Sequence, residues 1–262
     1  MKKILAVCLC LLSLLSASGC QRVASSGQAA APLPPVTIPP GARLVSIFFD
    51  DAFLNQYEVA LPLLRQYDFR ATFGVITGSI GTGRDLWEYM DKKHLKELAG
   101  CGMDIASHTR THANLTANLT DKRLRQEIND SKKELEKMGF KVSTMVYPYY
   151  EWDDRVIAGV REAGYTCARA GWSHEKAYDL TTADPISRYH VFSWQITNQN
   201  MDTFRLYLKE AGPETLVGLN YHFISDTGPA ATSTPLASFR AQMAYLKEAG
   251  FTVVPLPQLF SK

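Results

Sequence analysis

From Leu44 onward, apolar runs of strand length alternate with amphipathic stretches of helix length, and this alternation constrains the chain more than any other feature. Strands are read at 44–49, 71–76, 103–107, 142–147, 165–168, 216–221 and 253–254, and helices at 55–67, 91–99, 121–138, 153–163 and 239–249. A strand followed by a helix and another strand pairs most readily in parallel, so the pattern predicts an α/β domain built on a parallel sheet or barrel. Gly100, Gly139, Gly164 and Gly250 close four of the helices, where a left-handed C-cap favours glycine. The stretch from Gly171 to Asn200 is the least regular and reads as a long excursion between strands. With 262 residues, 46% of them hydrophobic, the chain fills a sizeable core, which excludes a disordered or fibrous protein.

The segment ahead of this domain is of a different kind. Lys2 and Lys3 precede a short apolar run from Ile4 to Leu15, and the small residues Ala17, Ser18 and Gly19 lead into Cys20. Residues 1–20 therefore read as a signal peptide. Its Gly19-Cys20 end resembles a bacterial lipoprotein cleavage site, which implies an acylated Cys20 and a membrane-anchored protein of the cell envelope. Residues 21–42, rich in Ala, Ser, Gly and Pro, read as an extended tether to a domain spanning 43–262. Residues 1–19 hold two of the 28 basic side chains and no acids, so the remainder balances at 26 of each sign. Nucleic-acid binding depends on phosphate neutralisation by basic clusters, and a balanced chain without basic runs is not expected to do it. Neutral glycans fit better. Beyond the leader and Cys20, only Cys101 and Cys167 remain, both in apolar stretches and read as buried thiols.

The chemistry-bearing residues cluster at the carboxyl ends of the expected strands. Asp50 and Asp51 close the first strand, His108 the third and His222 a late one, while Pro148 and Tyr149 follow the fourth. Parallel α/β sheets and barrels gather these ends on one face and build their sites there. Each member has a plainer reading. An Asp pair before a helix often caps it, and a lone histidine often sits in a core with a backbone partner. Two adjacent acids at a core mouth, however, repel each other unless a proton or cation intervenes. His108 and His112 stand four apart, so a helical turn there would aim both rings one way, and with one carboxylate they would form a two-His, one-Asp set suited to zinc or a similar divalent ion. His94, His174 and His190 lack such a setting and are read as structural or solvent-facing.

Taken in order, these segments resemble the NodB-homology polysaccharide deacetylases, carbohydrate esterase family four, across about the whole of 44–260. Phe48-Phe49-Asp50-Asp51-Ala52 looks like the first motif, Ser107-His108 through His112 the second, Tyr147-Pro148-Tyr149 the third and Leu219 to His222 the last. The resemblance implies an incomplete (β/α) barrel and one divalent metal, commonly zinc, held by Asp51, His108 and His112. It also implies Asp50 as general base, His222 as general acid, and a Tyr149 N–H aimed at the developing oxyanion. The implied substrate is an N-acetylated polysaccharide, either an N-acetylglucosamine polymer or peptidoglycan. Substrate contacts are expected from Pro148, Tyr149 and Trp194, with Trp152 and Trp172 as further aromatic candidates for a sugar groove. The sequence departs from the family pattern in three places. Ala52 replaces a glycine, Val146 stands where an arginine often pairs with the base, and Tyr150 follows the third motif in place of glycine. Arg188 is the expected charged partner near the site. These departures keep a carbohydrate-binding pseudoenzyme open as an alternative, and the resemblance itself allows a second, an O-acetyl esterase acting on acetylated glycan.

Overall fold

The sequence alternation is realised as a parallel sheet curled round itself. The structure, a computed structural model, describes residues 36–171, 177–181 and 184–260. The leader with Cys20, most of the tether, Trp172 and His174 lie outside the described residues. From Val36 the end of the tether has no regular structure, and its Val36 carbonyl accepts a hydrogen bond from Gln258 Nε2 at 2.8 Å.

At the centre is β1 (Arg43–Phe49). One edge pairs along its length with β8 (Thr215–Tyr221). The other edge is shared by a short last strand (Phe251–Val253) near its start and β2 (Ala71–Val75) near its end. From β2 the sheet continues through β3 (Asp104–Ser107), β4 (Thr144–Val146) and β5 (Cys167–Arg169), all parallel. The helices between them supply the crossovers that parallel pairing needs. They include α1 (Leu61–Gln66), α2 (Lys92–Gly100), α3 (Asp121–Arg125), α4 (Ser131–Lys137) and α5 (Asp154–Glu162). Among the described residues β5 and β8 do not pair, which leaves the (β/α) barrel incomplete. The seam is spanned by the excursion: Val191 bridges to Arg169, and β7 (Trp194–Gln195) runs parallel to β8. One short strand, β6 (Tyr178–Asp179), is antiparallel to β8.

Strand side chains alternate between two faces, and here each face has its own core. Val45, Ile47 and Phe49 of β1 join Phe73, Leu219 and Tyr221 beneath the helices, with Phe49 stacked on Phe73 at 4.8 Å and on Tyr221 at 5.6 Å. The opposite set, including Leu44, Phe48, Cys167, Leu216 and Leu256, plugs the barrel. Continued by parity to the strand ends, this interior set runs out at Asp50, His108, Arg169 and Asn220. The strand register thus places four polar side chains at one mouth.

The helices differ from expectation in four ways. The α2 helix keeps helical geometry through Gly100 and turns left-handed at Gly102 (φ +80°), where a side chain would meet Arg70 Nε at 2.8 Å. Gly139, Gly164 and Gly250 take positive φ as expected. The helix expected at 121–138 is α3 and α4 joined by a π turn, Gln126–Asp130, and a second π turn, Gln56–Ala60, leads into α1. Next, α6 (Met201–Tyr207) was not expected; it is short and buries only Phe204, too little for a clear apolar period. The last long helix, α7 (Leu236–Glu248), begins three residues earlier than its apolar pattern.

Candidate active site

The two acids leave β1 with opposite surroundings. Asp50 is buried, and its Oδ1 pairs with Arg169 Nη2 while its Oδ2 accepts from Asn220 Nδ2 at 3.0 Å. Burial alone would raise the Asp50 pKa, but Arg169, then His108 and His222, outweigh it and hold the carboxyl at about 2. Asp51 turns away because its backbone is left-handed (φ +73°), and Ala52 follows at φ +59°. Alanine there carries the strain that a glycine would not, on the order of 1–2 kcal/mol. Burial and the neighbouring Asp50 push the Asp51 carboxyl up to about 8. A half-buried acid so placed favours a cation or a proton beside it.

Two histidines face Asp51. His108 Nε2 and His112 Nε2 lie 3.6 and 3.5 Å from Asp51 Oδ1, and the three ligand atoms fall within 4.8 Å of one another. The Val146 carbonyl lies 2.8 Å from His108 Nδ1, which fixes the tautomer with its proton there and leaves the Nε2 lone pair directed at Asp51. Burial pulls the His108 pKa down to about 3 and lowers that of His112, so both present neutral nitrogens. Neutral imidazoles with a carboxylate at this spacing fit a divalent cation of the zinc type.

The histidines do not converge by a helical turn. Residues 108–114 form a loop, left-handed at Thr109 (φ +65°) and His112 (φ +58°). That geometry is held from below by Glu127, buried in the π turn, which accepts from Arg110 N, Thr111 N and Thr111 Oγ1 at 2.7–3.0 Å. The other π turn does comparable work, since buried Gln56 donates from Nε2 to the carbonyls of Asp50 and His222. Glu127 and Gln56 escaped the sequence reading because they look like ordinary polar positions on helical faces.

His222 Nε2 stands 3.6 Å from Asp50 Oδ2, on the side of Asp50 that also meets Asn220. Its Nδ1 is buried and has no hydrogen-bond partner among the described residues, and burial lowers its pKa. Across the mouth, Pro148 is buried and Tyr149 is half exposed, its ring 4.7 Å from His112. Tyr149 has φ +57°, and its N–H meets no acceptor among the described residues.

Two expected contacts sit elsewhere. Arg188 donates to the Pro185 carbonyl at 3.3 Å on an exposed turn, and the guanidinium paired with Asp50 belongs to Arg169 of β5. Val146, beside Gly74, brings no charge to the site, and its register partner on the next strand, Arg169, supplies it instead. An arginine at an inward-facing strand position is the available signal, but the apolar run that marks this strand in the sequence ends at Ala168. Trp194 pairs with Leu219 on the helix side of the sheet and stacks on Tyr207 at 4.2 Å, facing away from Asp50. It lines a separate cavity of about 310 Å³ with Phe192, Gln195 and Gln199. Tyr150, where glycine was expected, is also left-handed (φ +65°); its ring covers Arg169 at 4.8 Å, and its hydroxyl accepts from Asn220 Nδ2 at 2.8 Å. Trp152 stacks on His190 at 4.6 Å. His94 caps α2 with Asp91.

An incomplete parallel barrel carrying an acid–histidine centre at its strand ends defines the class of protein. Residues 37–168, half of the chain, match the polysaccharide deacetylase family, and the chain belongs to that family, the NodB-homology group of carbohydrate esterase family four. It is similar to YxkH of Bacillus subtilis (strain 168), 33% identical over 127 residues, which are 48% of this chain and 44% of that protein. It is also similar to the poly-beta-1,6-N-acetyl-D-glucosamine N-deacetylase of Staphylococcus aureus (strain MRSA252), 34% identical over 133 residues, 47% of this chain and 46% of that one. The matches thus span less than half the length of these relatives. A family 4 carbohydrate esterase from Bacillus anthracis shares the fold, with a TM-score of 0.55 at 22% identity over 83% of this chain and 82% of that one.

Proposed function

We propose that the protein is a metal-dependent hydrolase that removes N-acetyl groups from an N-acetylglucosamine polymer or from peptidoglycan. The observation that carries this reading is the convergence of Asp51, His108 and His112 beside a buried acid that Arg169 keeps ionised. A divalent ion, in our reading zinc, would be held by those three side chains and would supply Lewis acidity and a water of lowered pKa. Asp50, ionised at neutral pH, accepts the proton of the attacking water, and Asn220 and Arg169 keep its carboxylate in one orientation. The Tyr149 N–H donates to the acyl oxygen as negative charge develops there. His222 delivers a proton to the departing nitrogen, which leaves poorly as an anion; its proximity to Asp50 gives it a proton source.

The relative from Staphylococcus aureus acts, by its name, on poly-beta-1,6-N-acetyl-D-glucosamine, and that polymer heads the substrates we propose. Release of acetate from it or from another N-acetylglucosamine polymer, by purified protein loaded with one equivalent of zinc, tests the proposal. No release from any such polymer or from peptidoglycan would sink it. Side-by-side rates on an O-acetylated xylan separate amide from ester hydrolysis. The pseudoenzyme alternative draws on Ala52, Val146 and Tyr150; Arg169 supplies the charge that Val146 lacks, and undiminished glycan binding by His112→Ala with no turnover in the parent would favour that alternative. We further propose that the domain works in the cell envelope, anchored through Cys20; loss of membrane association in Cys20→Ala, followed by fractionation, is the expected result.

A further inference from the structure

We infer that Trp87 is a stacking platform for a pyranose ring of the polymer, next to the residue whose acetyl group is attacked. The inference rests on the deacetylase reading above and extends it to a substrate longer than one sugar.

Trp87 is about 53% exposed, in a chain that buries most of its large apolar side chains. It lies in a short turn, Asp85–Trp87, at the tip of the loop between β2 and α2. That loop is pinned on every side. Thr77 N and Gly78 N donate to the Thr109 and Arg110 carbonyls, which ties its base to the histidine loop. Met90 N donates to the Ala52 carbonyl at 2.9 Å, and Phe53 and Tyr89 form an antiparallel bridge, which ties its return to the residues after Asp51. Gly83 is left-handed (φ +81°), and a side chain there would collide with the Trp87 carbonyl; Asp85 takes φ +55°. Such a loop holds its tip in one place.

The indole stands nearly perpendicular to Phe53 and Phe223, with centroids 5.8 and 5.1 Å away. Phe53 lies two residues after Asp51, and Phe223 directly follows His222. Trp87 therefore packs on two rings whose residues lie within two positions of a proposed metal ligand and of the proposed acid. Tyr149, about 58% exposed, is a second solvent-facing ring at this centre, 4.7 Å from His112. A rigid, solvent-facing aromatic at this point contributes little to the core and leaves apolar area in water. Pyranose rings match such a surface, with C–H groups on a face that stacks and hydroxyls at the rim that stay hydrated. Leu206, about 55% exposed on α6, is a solvent-facing apolar side chain of another element and serves as the comparison.

The test compares Trp87→Ala, Trp87→Phe and a control, Leu206→Ala, in the zinc-loaded protein, using N-acetylglucosamine oligomers from dimer to hexamer. For Trp87→Ala, KM on the hexamer should rise about tenfold with kcat changed less than about twofold, a loss of about 1.4 kcal/mol in binding. The effect should shrink as the oligomer shortens, and Trp87→Phe should recover most of it. A change of equal size at every length, a fall in kcat alone, or no change overturns the platform. Affinity electrophoresis in gels containing the polymer gives an independent reading. Retardation of the parent that Trp87→Ala loses supports the platform even if no acetate is released, an outcome that would count against the deacetylase reading alone. Equal retardation of both, or none of the parent, overturns it.

Discussion

Arg169 and Asp50 sit on strands far apart in sequence, yet each is the other's charge partner inside the barrel. Removing one member of a buried pair leaves an unpaired charge in low dielectric, at a cost of about 3–5 kcal/mol. Arg169→Met should therefore lower stability by that order in chemical denaturation. Arg169→Lys keeps the charge but lacks the planar fork, so it should fold, retain its zinc and lose on the order of 10²-fold in kcat through misplacement of Asp50. Activity near that of the parent in Arg169→Lys would show that charge alone suffices. A second residue-scale prediction concerns Asp104, inside the barrel and remote from the proposed chemistry. Burial pushes its carboxyl up to about 6, partly offset by the Thr144 and Thr72 hydroxyls. The folded protein thus holds this proton more tightly than the unfolded chain, whose carboxyl titrates near 3.9. Stability from this group is fully present below about pH 4 and is lost as pH rises through about 6. Asp104→Asn should exceed the parent by about 1–2 kcal/mol at pH 7.5, and the gain should vanish near pH 4, as denaturant midpoints at the two values will show.

At the scale of elements, the two π turns position the site. Each inserts an extra residue into a helical turn and thereby aims a buried polar side chain, Gln56 or Glu127, at loop backbone that would otherwise lack partners. The histidine loop is left-handed at two residues, and such strain persists only where the surroundings over-determine it. Glu127→Ala removes three acceptor contacts from that loop. It should weaken zinc affinity about 10–100-fold, as outer-shell changes commonly do, measured by competition with a chromogenic chelator. An unchanged affinity would mean that the loop holds its shape without Glu127. The histidine spacing was legible in the sequence, whereas its conformation was not, because a His-x-x-x-His pattern suits a helix as readily as this loop.

For the whole molecule, the barrel brings the β1 acids, the loop after β3 and the end of β8 to one mouth. A cation held there ties these segments together in the folded state only. Stability should therefore climb with zinc concentration, by about 2.7 kcal/mol at a hundred times the dissociation constant, and chelation should lower Tm and abolish acetate release together. Activity that survives exhaustive chelation would remove the metal from the reading. Replenishment with zinc should restore both quantities.

By itself the sequence determined the class of fold, because hydrophobic period and strand length are local properties that survive without knowledge of neighbours. It also brought out Asp50, Asp51, His108, His112 and His222, since residues at strand ends can be found by counting. Which arginine meets Asp50, which face Trp194 takes and what Trp87 rests on depend on register and strand order. Those are relations between segments distant in the chain. Val146 and Arg169 make the point: they are neighbours only because β4 pairs with β5, and a charge missing from one strand can be supplied by the next.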